Sequence, residues 1–133
     1  MDEAIIDQTT LIIRRNRGRD VDRNPGGDGD RLVALVLPVL DALRRGGLSY
    51  AMDHHRPARF DDAAEAGRHL DSPQLRALLE EAARIVAVHR GRRLTAEADA
   101  FDARYTVKAI DRALRDAVDA RLRADPASFC LSR

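Results

Sequence analysis

The sequence predicts an all-α protein, a single-domain bundle of about five helices built along one long C-terminal helix. Three observations carry that expectation. Apolar residues recur at three- and four-residue spacings, with almost no period-two alternation. Alanine, the best helix former, occurs 22 times, whereas Trp is absent and Phe and Tyr together number five. The stretch from Thr95 to Asp125 contains no Pro or Gly. It reads as one helix of about thirty residues, roughly 45 Å long, between a Thr cap and Pro126.

Residues 2–15 fit two descriptions. Ile5, Ile6, Thr9, Ile12 and Ile13 follow helical spacing, and Asp2 and Glu3 suit a helix N-terminus. Thr9 to Ile13 would equally suit a strand. The helix is preferred because nothing else in the chain offers that strand a partner. Residues 16–29 form a polar loop without periodicity, expected to be mobile.

The second helix runs from about Asp30, its cap, to Arg45. It carries Leu32, Leu35, Val36, Val39, Leu40 and Leu43 on one face. Pro38 predicts a kink, and Gly46-Gly47 an end. Residues 48–56 read as a connector with at most one helical turn. A short helix from Pro57 to His69 has Phe60, Ala63, Ala64 and Gly67 on its apolar side. Ser72-Pro73 signals the next start, by cap and N1 proline. That helix extends to about Arg90, with Leu75, Leu78, Leu79, Ala82, Ile85 and Val86 inward and an Arg76–Glu80–Arg84 ladder outward. Gly91-Arg92-Arg93 turns the chain into the long helix, whose expected apolar stripe is Ala103, Val107, Ile110, Leu114 and Val118. Residues 126–133 are expected to be a tail. All 133 residues form one domain, with no internal repeat.

Composition excludes several function classes. No apolar run approaches the roughly 18 residues of a membrane span, and acids stand where a signal peptide needs a basic start. A cytoplasmic protein without membrane partners is expected. The single Cys130 excludes an internal disulfide. Formal net charge is +1, yet 22 of the 23 basic residues are arginine and 17 of the 22 acids are aspartate. GC-rich codon usage accounts for that bias, as does selection for guanidinium forks that grip phosphates.

Catalytic and metal chemistry find little footing. His54, His55, His69 and His89 lack the spacing of a common metal ligand set. Asp20, Asp22, Asn24 and Asp28 echo a calcium loop, but Pro25 replaces the turn glycine and Arg31 the bidentate Glu. There is no nucleophile elbow or glycine-rich phosphate loop, and most Asp residues have an Arg at i±3 or i±4. No enzyme activity, metal, cofactor or small-molecule substrate is expected.

Three arginine groups remain. Arg14, Arg15, Arg17 and Arg19 flank a glycine, and Arg90, Arg92 and Arg93 cluster at the turn. On the long helix Arg104, Lys108, Arg112 and Arg115 fall within about 80° of the wheel, a basic ridge with Phe101 and Tyr105 nearby. Such a track has the composition of a groove for a nucleic-acid backbone with stacking platforms. The competing description is a solvated face laced with Asp102, Asp111, Asp116 and Asp119.

The layout resembles the small helical subunits of class 1 CRISPR effector ribonucleoproteins, of the type III and type IV kind. The stretch Leu79-Glu80-Glu81-Ala82-Ala83-Arg84-Ile85-Val86-Ala87-Val88-His89-Arg90-Gly91-Arg92 is similar to the apolar helix and polar-Gly-Arg turn found in such subunits. The resemblance implies a non-catalytic role, with several copies contacting a guide–target duplex or displaced strand and neighbouring protein subunits. By position it implies that Arg90, Arg92, Arg93, Arg104, Lys108, Arg112 and Arg115 face nucleic acid. The interspersed aspartates and near-neutral charge depart from a strongly basic binder. The alternative is a helical protein–protein interaction module, such as a phage connector, an assembly chaperone or an immunity-type binder.

Overall fold

The computed structural model describes residues 2–23, 26–89 and 95–129. It is all-helical, without strand among the described residues. Among the described residues six helices follow one another: α1 (Asp2–Asn16), α2 (Asp28–His54), α3 (Pro57–Arg68), α4 (Pro73–His89), α5 (Thr95–Arg104) and α6 (Val107–Ala124). A 3-10 turn, Pro126–Ser128, follows α6. Among the described residues no helix is long and apolar enough to cross a membrane.

The long C-terminal helix does not form, and two helices replace it. The backbone at Thr106 is extended (φ −69°, ψ 166°), and its Oγ1 accepts the Ala109 N–H at 3.2 Å. A Thr cap followed by β-branched Val107 thus opens a new helix without Pro or Gly. The break resets the phase of the apolar stripe. Ile110, Leu114 and Val118 are buried as expected, together with Ala113, Ala117 and Leu122. Ala103 and Val107 are instead exposed, and Phe101 is buried at 1 % exposure.

The bundle is organised around α2, not around its C-terminal part. This helix packs against α1, α3, α5, α6 and the 3-10 turn. Its apolar residues accordingly point several ways: Val33, Val36, Leu37, Val39 and Leu40 are all almost fully buried. α3 and α4 pack as a pair, and α6 rests on α1 and α4. The α4 pattern holds, with Leu75, Leu78, Leu79, Ala82, Ile85 and Val86 inside. Ser72 Oγ accepts the Leu75 N–H at 3.2 Å and caps it.

Pro38 sits within α2, and the backbone break comes nine residues later, at Gly47 (φ +82°, ψ −172°). Helical geometry resumes directly, so residues 48–54 are helix where a connector was expected. The resumed segment needs a cap for its first N–H groups. Asp102 of α5 supplies it, accepting the Leu48 N–H at 2.9 Å. A Cβ on residue 47 would lie 2.4 Å from Asp102 Oδ2, so only glycine permits this approach.

The start of α2 is anchored by a buried carboxylate. Asp30 is not the N-cap but lies three residues inside it, with no exposed surface. It accepts Arg15 Nη2 at 2.6 Å, Asn16 Nδ2 at 2.8 Å and the Gly27 N–H at 3.1 Å. A Cβ on Gly27 would meet the Ser128 carbonyl oxygen at 2.2 Å. Residues 126–129, expected to begin a tail, therefore pack onto the α2 start, and Phe129 is only 3 % exposed.

Candidate nucleic-acid interface

The break at Thr106 splits the expected basic ridge. Arg104 is the last residue of α5, while Lys108, Arg112 and Arg115 stand on α6. Three of the four still converge. Arg104, Lys108 and Arg112 line a groove between α4 and α6, together with Tyr105. Its apolar floor comprises Ala77 and Leu78 of α4 with Ala109 and Ala113 of α6. Arg115 lies elsewhere, with Nη1 donating to Thr10 Oγ1 of α1 at 3.2 Å. That contact makes Arg115 a strut between helices rather than part of the groove.

The groove residues differ in how free they are. Arg104 pairs with Glu81 of α4, and its guanidinium carbon lies 5.9 Å from the Tyr105 ring centroid. Lys108 and Arg112 are exposed, one helical turn apart, with no ion pair among the described residues. Tyr105 is half-buried, its ring centroid 4.8 Å from that of Phe101 at an interplanar angle of 50°. Phe101 is buried beneath it and offers no stacking face. Tyr105 is the one aromatic ring of the groove among the described residues.

Three of the four aspartates expected to lace this face are committed away from it. Asp102 caps the resumed segment of α2, Asp111 pairs with Arg44 at 2.7 Å, and Asp119 pairs with Arg123 at 3.4 Å. Only Asp116, one turn beyond Arg112, lines the groove. Tertiary contacts thus separate acids from bases that the helical wheel mixes together.

The other arginine groups divide cleanly. Arg90, Arg92 and Arg93 lie outside the described residues. Arg15 holds Asp30, Arg19 donates to Asn16 Oδ1 at 2.5 Å, and Arg17 grips Asp41 with two hydrogen bonds of 2.8 and 2.9 Å. Asp41 raises the Arg17 pKa further, first by that hydrogen bonding. Arg15 and Arg17 thus join α1 and the loop after it to α2, and Arg19 ties that loop back to the end of α1. On the far side of α4, Glu80 accepts from Arg68 of α3 at 3.0 Å and from Arg76 at 3.4 Å. Arg68 is the main cause of a Glu80 carboxyl pKa below its ordinary value.

His54, His55 and His69 border one concavity between α2 and α3 without forming a metal ligand set. His54 stacks on Tyr50, with centroids 3.9 Å apart, and His69 Nε2 lies 3.1 Å from Glu65. No group of three His, Cys, Asp or Glu fit for a metal occurs among the described residues. That concavity between α2 and α3 is also lined by Arg31, Arg56 and Arg59. Sequence spacing does not reveal it, because Arg31 is about 25 positions from the others; the Arg56-Pro57-Ala58-Arg59 helix start is the one local signal. Comparisons of the chain with protein-family models, with curated proteins and with solved structures find no match.

Proposed function

We propose that this chain is a non-catalytic, nucleic-acid-binding subunit of a multi-subunit ribonucleoprotein, as the resemblance to small CRISPR effector subunits implies. One observation carries the reading. Lys108 and Arg112 stand exposed and unpaired on the rim of an apolar-floored groove beside Tyr105. Two cations on consecutive turns, about 6 Å apart along the axis, can meet backbone phosphates without reordering the chain. The half-buried Tyr105 gives an unstacked base a ring to lie on. Arg104 joins them when its pair with Glu81, exposed and therefore weak, exchanges for a phosphate.

A salt titration of single-strand binding by wild type and by the K108E/R112E variant tests this. Loss of two phosphate contacts reduces the slope of log affinity against log salt by about 1.4. An unchanged affinity and slope in a folded variant sinks the reading. The second reading is a protein–protein interaction module. It is favoured by the groove floor of Ala77, Leu78, Ala109 and Ala113, which suits an apolar helix face. Absence of polynucleotide binding even at low salt would bring it to the front.

A further inference from the structure

The cleft between α2 and α3, bordered by residues 18–22, has no part in the groove described above. Its apolar wall includes Leu35, Pro38 and Val21. Four arginines line it. Arg19 is tied to Asn16, but Arg31, Arg56 and Arg59 have no ion pair among the described residues. Four acids line it as well, of which Asp22 and Asp62 have no ion pair among the described residues and Glu65 and Asp20 are already engaged. Glu65 serves Arg68 and His69, and Asp20 lies 4.0 Å from Arg23.

Arg56 and Arg59 are the informative pair. Arg56 is the N-cap of α3 and makes no side-chain cap hydrogen bond, and Arg59 stands in the first turn, which holds no acid. Cations at the positive end of a helix oppose its stability, so folding gives no reason for this placement. The neighbouring His55 feels Arg59. Burial lowers its pKa and Arg59 lowers it further, against a hydrogen bond to the Pro38 carbonyl. This end of the cleft therefore presents two exposed, unpaired guanidinium groups with no acid in that first turn, and Asp62 follows one turn further along α3.

We propose that this cleft binds a small phosphorylated ligand, its phosphate held by Arg56 and Arg59 beside His55 and its uncharged body lying on Leu35 and Pro38. Two guanidinium forks match the oxygens of a phosphate dianion, which also complements the positive end of α3. A single carboxylate would leave part of that charge unanswered. The uncharged body covers apolar wall that is open to water without it.

The test follows the His55 ring signals by NMR in the full chain. Adenosine 5′-monophosphate, inorganic phosphate and adenosine are titrated in turn at constant ionic strength. The monophosphate is expected to shift the signals saturably, inorganic phosphate more weakly, and adenosine not at all. In the R56Q/R59Q variant the half-saturating monophosphate concentration rises at least about tenfold. Both side chains are exposed and unpaired, so the variant is expected to melt no lower than wild type; R59Q alone shows a smaller shift in the same direction. Unmoved His55 signals, or an unchanged response in R56Q/R59Q, overturn the site. Adenosine binding as tightly as its monophosphate overturns the phosphate assignment. Monophosphate binding no tighter than inorganic phosphate overturns the apolar-bodied ligand.

Discussion

Asp102 Oδ1 accepts the Leu48 N–H at 2.9 Å, so a carboxylate on α5 caps the helical segment that α2 resumes after Gly47. The two residues lie 54 positions apart, and their contact binds both helix breaks of the fold together. It holds α5 on the bend of α2 while Thr106 turns the chain into α6.

Gly47→Ala is therefore expected to be costly. Its backbone occupies a region essentially closed to other residues, and a Cβ would press on Asp102 Oδ2. Strain and overlap together cost about 2–4 kcal/mol, read from urea unfolding. Asp102→Ala alone removes a cap and costs about 1 kcal/mol. In the double variant the overlap is gone, so the combined cost falls short of the sum. Strict additivity would show that the carboxylate does not press on residue 47.

Asp30→Ala strands buried donors. Asn16 has no exposed surface, and Arg15 and the Gly27 N–H lose their acceptor with it. A cost of about 2–4 kcal/mol follows, because one side of a buried network is left unsatisfied. Asp30→Asn keeps an acceptor oxygen and is expected to cost less. Equal melting of both variants and wild type would contradict this account of the α2 start.

Arg112 and Arg115, neighbours on the expected ridge, separate in function. Arg112→Ala is expected to weaken nucleic-acid binding and to change stability by less than about 0.5 kcal/mol. Arg115→Ala removes the link to Thr10, lowering stability by about 0.5–1.5 kcal/mol and leaving the salt slope unchanged. Parallel melts and binding titrations distinguish the two. Equal losses of binding would restore Arg115 to the interface.

The histidine at the α2–α3 junction carries a pH signature. The folded His55 pKa lies below the ordinary 6.5, chiefly through burial and then Arg59. The unfolded chain therefore binds the proton more readily. Its contribution to stability is fully present above pH 6.5 and is lost as pH falls through that value toward the folded pKa. Melting temperatures from about pH 8 to about pH 5 should fall less steeply in His55→Gln than in wild type. Identical profiles would show that His55 titrates alike in both states.

The sequence by itself determined the helical class, because periodicity, alanine content and caps act between near neighbours. α4 is the clearest case: Ser72, Pro73 and an unbroken leucine spacing lie within one segment, and every residue named for its core face is buried. The helix chosen for residues 2–15 stands on similar local grounds. What only the tertiary structure decided is where those helices break and which charges meet. A Thr cap contributes about 1 kcal/mol, close to the differences among helix propensities, so residues 95–125 alone hold no decisive stop. Burial of Phe101 and capture of Leu48 by Asp102 supply it from across the bundle. The same holds for the ridge. A helical wheel places Arg115 beside Arg112 and four aspartates among them, but it carries no information about α1, α2 or α4. Thr10, Arg44 and Leu48 draw Arg115, Asp111 and Asp102 away, and that leaves Lys108 and Arg112 unpaired beside Tyr105. Side-chain pairing is settled by which surfaces the fold brings within a few ångströms, and those surfaces come from residues up to 105 positions apart.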